Sequence, residues 1–213
     1  MDQKQMETVA NWILPGLTLY YRDSVLSVDQ MAQYQVGRVM RSPTFVDVSS
    51  IAGGVAGNTR FIFASSHAAP LFRLDPSTEK YRLHTIAAES YFKVIDNHFE
   101  AQTKDRQIVL LHIPSTAAAT MENVEINLGE QTLREFLIQR TRQSLSEKLN
   151  TPTPPALLEK EWRERINFPI GLDPEDKPFP LQPERPLPPP VLPLYTAIKK
   201  MTEDEGKLNR LLA

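Results

Sequence analysis

Serines and histidines are the residues of this chain whose types and positions could support catalysis. Ser65, Ser66 and His67 follow one another at the end of an apolar run, and His98 stands two residues after Asp96 in a later run. A serine nucleophile needs a histidine base and an orienting carboxylate brought together in space. The chain has these residue types but no G-x-S-x-G elbow. A small hydrolase-like enzyme that uses Ser65 or Ser66 with His67 or His98 is therefore our alternative hypothesis.

Metal and cofactor chemistry finds little support in the sequence. The histidines stand at positions 67, 84, 98 and 112, and these spacings match no compact ligand pattern such as H-x-H or H-E-x-x-H. The chain has no cysteine, which excludes thiolate zinc sites, iron–sulfur clusters, disulfide frameworks and cysteine nucleophiles. We predict neither a metal site nor a cofactor.

A glycine cluster at Gly53, Gly54 and Gly57, followed by Asn58, is a second candidate site. Phosphate-binding loops use glycines so that backbone N–H groups can approach the anion, and a helix usually follows. The Walker pattern requires lysine after its last glycine, whereas here Asn58 is followed by Thr59 and a β-type run. The pattern predicts a hairpin loop with glycines at positive φ. A mobile binding loop at Gly53, Gly54, Gly57 and Asn58 is the alternative.

Prolines are concentrated near the carboxyl end of the chain. Of 18 prolines, 13 lie between Pro152 and Pro193, and residues 151–195 hold one glycine and no serine. Proline stiffens such a segment, and the apolar side chains between the prolines need burial. We call residues 151–193 the strap and expect it to pack on its own domain, with docking on another protein as the alternative.

The predicted protein-binding residues of the strap are its large apolar side chains and one arginine: Phe168, Phe179, Arg185, Leu187 and Leu192. Arg185 begins the run Arg-Pro-Leu-Pro-Pro-Pro, which is typical of ligands of Src-homology-3 domains. Val191 stands where such ligands usually have a further proline.

Charge and hydropathy exclude several partners. The 213 residues include 24 Lys and Arg against 26 Asp and Glu, for a formal charge of −2. Charge is balanced along the chain, which argues against nucleic-acid binding. No window approaches the ~18 apolar residues of a membrane span, and the first residues do not form a secretory signal. We expect a cytoplasmic protein with no nucleic-acid or membrane partner.

The elements that must position these residues point to an α+β fold. β-type runs separated by turn signals between residues 44 and 113 predict about six strands in three successive hairpins, and hence a mainly antiparallel sheet. The predicted strands include 44–51, 59–65, 71–74, 81–86, 91–99 and 108–113. Flanking helices are expected at 3–13, from residue 28, at 132–149 and at the carboxyl end. We divide the chain into an α+β domain (1–150), the strap (151–193) and a terminal helix (194–213).

Because no catalytic pattern is complete, the sequence favours a non-catalytic function. We expect a protein-binding, adaptor or assembly-subunit protein that acts through its sheet surface and its C-terminal arm, residues 151–213. Its expected partner is another protein or a second copy of the chain. An enzyme is the less favoured class.

Overall fold

The computed structural model describes residues 1–101, 104–182 and 189–211. These residues form an α+β fold, as the sequence predicts. The helices are α1 Gln3–Ile13, α2 Val28–Gln33, α3 Leu133–Leu149, α4 Lys160–Arg165 and α5 Leu192–Leu211. The strands are β1 Thr18–Ser24, β2 Val39–Ser42, β3 Val46–Ser49, β4 Thr59–Ser65, β5 Ala68–Ala69, β6 Leu83–Ile86, β7 Ser90–Glu100 and β8 Asp105–Ile113.

Capping boxes fix the start of three helices. The side chains of Asp2, Ser27 and Thr132 each accept a hydrogen bond from the third helical N–H. The side chain of that third residue accepts one in return from the backbone N–H of the cap. These short-range contacts explain why the helices begin where the sequence predicts. In the described part of the chain, no helix combines the length and apolarity needed to cross a membrane.

The strands form one sheet of eight in the order β2-β7-β8-β4-β1-β3-β6-β5. Neighbouring strands are antiparallel except β4 and β8, which are parallel with Phe61 beside Ile108. The mainly antiparallel sheet is confirmed, but it is larger than the predicted six strands and partly parallel. Three strands lie outside the predicted set, β1 and β2 before residue 44 and the two-residue β5, whereas the predicted strand 71–74 does not form.

The predicted series of three hairpins is wrong in two places. β3 and β4 are not neighbours, because β1 lies between them and pairs with β4 from Thr18↔Ser65 to Ser24↔Thr59. The predicted strand 71–74 instead contains a 3-10 turn, Leu71–Arg73, which a second one, Pro76–Tyr81, follows. Asp75 caps the second turn and proline stands in its first turn, a combination that favours helical geometry.

The core lies on both faces of the central strands. Alternate residues of β4 and β8 face α1 and α3 on one side, where Ile62 and Leu111 pack with Ile13 and Leu137. The other residues face a second apolar cluster, which contains Tyr34 of the loop after α2 together with Ile170 and Leu172 of the strap. A third cluster forms beside β6 from Tyr81, Leu83, Leu157, Trp162 and Ile166. The strap contributes buried residues to two of the three clusters, and its Leu181 packs against the first, so it packs on the sheet of its own chain.

Candidate functional site

Arg22, in the carboxyl half of β1, is a buried arginine that bonds to neutral groups. Its side chain is 1% exposed. Nη2 donates to the carbonyl oxygen of Ile166 at 2.7 Å and to that of Phe168, and the Phe168 ring centre lies 4.1 Å from the guanidinium carbon. Among the described residues, neither Nε nor Nη1 has a hydrogen-bond partner. The guanidinium therefore has two buried donors left over.

The charge of Arg22 persists in this environment. Burial lowers the pKa of Arg22 to about 10, while Tyr34 and Asp47 act in the opposite direction, so the group stays protonated at neutral pH. The Asp47 carboxylate accepts hydrogen bonds from Thr85 at 2.6 Å and from Arg165 at 2.8 Å. Buried polar groups are nearly always satisfied, and a buried charge without its counter-ion is costly. The two free donors of Arg22 therefore suit an anion.

A cavity of about 300 Å³ adjoins Arg22, and we call it the cleft. Its floor is the carboxyl half of β1, and its walls are the loop after β3 and the strap residues 157–167. The register between β1 and β3 is the single pair Tyr21↔Ser49. Beyond that pair, residues 22–24 of β1 and Val25 after it border the cleft.

The lining of the cleft carries an excess of positive charge. Four of its side chains are cationic and two are acidic: Arg22, Arg60, Lys160 and Arg163 against Asp23 and Glu164. Arg60 and Asp23 neutralise each other through two hydrogen bonds of 2.7 and 2.8 Å. Lys160 and Glu164 form an exposed pair at 3.5 Å. The remaining charges, Arg22 and Arg163, are both positive, which favours an anionic ligand.

The glycine loop forms a wall of the cleft rather than a hairpin connection. The carbonyl oxygens of Gly53 and Gly54 accept hydrogen bonds from Arg60. None of the three glycines has positive φ, so that part of the prediction is wrong. A Cβ on Gly57 would lie 2.3 Å from the carbonyl oxygen of Ser24, and Asn58 joins Leu26 by two hydrogen bonds. Close backbone approach explains these residue types, and a ligand-binding role of the loop stays a prediction.

The structure pairs the predicted serines with histidines in a different combination. Ser66 Oγ lies 2.8 Å from His67 Nδ1, and Ser65 Oγ lies 2.9 Å from His112 Nδ1. His98 lies near the carboxyl end of β7, and its Nδ1 is 3.2 Å from Asp96 Oδ2. The structure therefore leaves His98 apart from both serines and introduces His112 in its place.

The environment of these two pairs is that of a packed core. Ser65 and His112 are buried, and burial lowers the pKa of His112 to about 3. The hydroxyl of Ser66 lies 3.0 Å from the carbonyl oxygen of Trp12, whose ring stacks on His67 at 3.8 Å. Hydrogen bonds and ring contacts satisfy this cluster, and it lies outside the residues that line the cleft.

The predicted strap contacts divide into three groups. Phe168 stacks on Arg22, and Phe179 is half-buried at a second cavity of about 410 Å³. Leu192 is 45% exposed. Arg185 and Leu187 lie outside the described residues. Binding of another protein through these residues stays a prediction.

The predicted binding residues of the strap did not include its buried anchors, which are Trp162, Ile166, Ile170 and Leu172. Arg22 of the cleft was not among the candidate residues either. Arg22 could have been noticed, because an arginine interrupts the aromatic and apolar run of β1. No group of three or more potential metal ligands occurs among the described residues.

No protein-family model and no curated protein matches the sequence. Solved structures that resemble the chain include the type III effector XopAI of Xanthomonas axonopodis pv. citri, with 11% identity, a TM-score of 0.40 and coverage of 46% of this chain and 44% of that one. The C3 exoenzyme of Clostridium limosum has 14% identity, a TM-score of 0.39 and coverage of 46% and 60%. The ADP-ribosyltransferase HopU1 of Pseudomonas syringae has 17% identity, a TM-score of 0.39 and coverage of 46% and 45%.

These matches span about half the length of the structures concerned. They contradict the prediction of a non-catalytic adaptor, since several of the matched structures are enzymes described as ADP-ribosyltransferases. At 9–17% identity and TM-scores of 0.36–0.40, they assign no residue role, reaction or substrate to this chain.

Proposed function

We propose that this protein binds a small phosphate-bearing ligand in the cleft beside Arg22. The observation that carries the proposal is a buried, protonated guanidinium with two donors, Nε and Nη1, that no described residue uses. A guanidinium presents its donors as a planar fork that matches the oxygens of a phosphate. A bound phosphate would supply both the missing hydrogen bonds and the missing counter-charge.

The remainder of the cleft suits the nonpolar part of such a ligand. Trp162 and Leu157 line the interior, and Val25 and Leu158 stand at the rim with 61% and 51% exposure. Apolar walls around a few convergent polar groups are typical of small-molecule sites. We also propose a cytoplasmic location, with which the absence of cysteine is consistent.

The test is the affinity for inorganic pyrophosphate, measured by isothermal titration calorimetry. Arg22→Gln should weaken binding about 10- to 100-fold, because hydrogen bonds to a charged group contribute roughly 1.5–3 kcal/mol. Arg142→Gln is the matched control, since Arg142 is 63% exposed on α3 and does not line the cleft. It should leave the affinity unchanged.

Equal affinity of wild type and a folded Arg22→Gln variant would contradict the proposal, as would the absence of binding to any phosphate ligand. NAD belongs in the same ligand series, because one of the matched structures is a complex with NAD. The proposal itself stands on the cleft's own residues.

A further inference from the structure

We propose that this protein binds a small organic cation, an ammonium group on an apolar body, at a second site that is separate from the cleft. The site is the cavity of about 410 Å³ between Gln30 of α2, residues 42–44 at the end of β2 and strap residues 168–179. We call this cavity the groove. The groove and the cleft share no lining residue among those described, so the inference goes beyond the proposed function.

Most of the groove wall is apolar. Its nonpolar lining residues are two phenylalanines, a leucine, three prolines and a glycine: Phe168, Phe179, Leu172, Pro43, Pro169, Pro174 and Gly171. Phe168 is 37% exposed and Phe179 is half-buried, so both offer apolar surface to a ligand. Because proline has a fixed φ and no flexible side chain, a wall rich in proline loses little conformational entropy when a ligand packs on it.

The two acidic residues of the groove stand on one turn. The Asp176 N–H donates to the Asp173 carbonyl oxygen at 3.0 Å. Asp173 Oδ1 accepts hydrogen bonds from the N–H groups of Glu175 and Lys177 at 2.8 and 2.9 Å. Asp176 Oδ1 accepts one from Gln30 Nε2 at 2.7 Å. These bonds hold both carboxylates at the groove through one oxygen each.

The negative charge of the groove has no counter-charge. Within the described residues, no hydrogen bond or ion pair involves Oδ2 of Asp173 or Oδ2 of Asp176. The described lining includes no lysine, arginine or histidine, and the nearby Lys177 is paired with Glu175 at 2.8 Å. Two carboxylates therefore border an apolar and aromatic wall.

A cation with an apolar body complements both features of the groove. Carboxylates attract the charge, and the faces of aromatic rings attract cations as well. A metal ion fits less well, because a hard cation needs more oxygen ligands than two half-committed carboxylates supply. The described residues include no group of three or more potential metal ligands. The chemistry of the groove thus favours an organic ammonium ion.

Nuclear magnetic resonance titration of the full chain with phenethylamine tests the proposal, and phenethyl alcohol is the neutral probe of the same shape. The amine should shift the backbone amide signals of residues 42–44 and 168–179. The alcohol should bind at least about fivefold more weakly, because it lacks the charge that the carboxylates attract. Affinity for the amine should also fall as the salt concentration rises, because salt screens exposed charges.

Asp176→Asn removes one charge with little change in structure. Asparagine keeps the oxygen that accepts from Gln30, and it tolerates the positive φ of +62° at this position. The variant should bind the amine about 10-fold more weakly, since hydrogen bonds to charged groups are the stronger ones. Glu175→Gln is the matched control on the same turn, because Glu175 is 73% exposed and does not line the groove. It should change the affinity by less than about twofold.

Equal affinity for the amine and the alcohol would overturn the proposal, and so would equal weakening by Asp176→Asn and Glu175→Gln. The absence of amine-induced shifts at the groove would do the same. If Asp176→Asn fails to fold, Asp173→Asn takes its place, because asparagine keeps the oxygen that accepts from the N–H groups of Glu175 and Lys177. None of these outcomes depends on pyrophosphate binding in the cleft, so the proposed function is tested separately.

Discussion

At the scale of single residues, two buried basic side chains behave in opposite ways. Arg22 keeps its charge, because its ordinary pKa lies so high that burial lowers it only to about 10. His112 is also buried, and burial together with the nearby His67 lowers its pKa to about 3. A cation is therefore maintained next to the cleft, while His112 stays neutral at physiological pH.

His112 should make the stability of the protein pH-dependent. Its pKa is lower in the folded than in the unfolded chain, where it is about 6.5, so the unfolded chain binds more protons and stability falls as pH falls below about 6.5. On going from pH 7.5 to pH 5, protonation of His112 in the unfolded chain should lower the free energy of unfolding by about 2 kcal/mol. Urea unfolding at the two pH values measures it.

His112→Gln is the comparison, because glutamine keeps a polar group beside Ser65 but does not titrate. The variant should be less stable at pH 7.5, since His112 packs against Trp12 and Phe92, and its loss of stability on going to pH 5 should be smaller by about 2 kcal/mol. An identical pH dependence in both proteins would show that His112 is protonated without penalty.

At the scale of elements, the loop of residues 50–58 shows that glycines can be required for space alone. Gly53 lies against the strap, where an added Cβ would meet the Pro152 carbonyl oxygen at 2.2 Å. Gly54 donates to the Thr151 carbonyl oxygen at 2.9 Å. The loop thus joins β1 to the start of the strap, and these contacts fix one wall of the cleft.

Gly57→Ala should destabilise the protein by about 1–3 kcal/mol, the usual range for overpacking. The reason is the 2.3 Å distance from the added Cβ to the backbone oxygen of Ser24, which cannot move without disturbing β1. Gly54→Ala is the control, because its nearest atom is the Thr153 side-chain hydroxyl at 3.1 Å, and it should change stability by less than about 1 kcal/mol. Thermal unfolding compares the two, and equal losses would count against close approach as the cause.

At the scale of the whole molecule, the strap completes the apolar core. Ile170 and Leu172 lie in the cluster beneath β4 and β8, and Trp162 stacks on Tyr81 with ring centres 5.3 Å apart. Docking of the strap on its own chain follows from these contacts. Self-association and docking on another protein stay predictions, and so does the division of the chain at residues 150 and 193.

Ile170→Ala should lower the free energy of unfolding by about 2–5 kcal/mol, the range for large-to-small changes in a core, because Ile170 is 0% exposed. Leu192→Ala is the matched control on the same arm, where the side chain is 45% exposed, and it should change stability by no more than about 0.5 kcal/mol. Chemical denaturation of the full chain measures both. Similar small effects would mean that the strap contributes nothing to the folded core.

The local features of the fold can be predicted from the sequence alone. Helix starts at Ser27 and Thr132 follow from capping boxes within four residues, and the strand 59–65 follows from its apolar pattern and flanking turn residues. The stiffness of the strap and its need for burial follow from its proline and apolar content. Each of these depends on neighbours along the chain, which a single sequence displays.

Strand order and strap docking could not be predicted in this way, because they depend on contacts between residues that are distant in the sequence. The insertion of β1 between β4 and β3 joins residues 28 to 47 positions apart, and no local pattern encodes that choice. The same insertion places Arg22 beside the cleft, and Ile166 and Phe168 then reach it from 144 and 146 positions away. The candidate site is therefore a product of the fold: its arginine is visible in the sequence, but its burial and its unused donors arise only when the strap closes over β1.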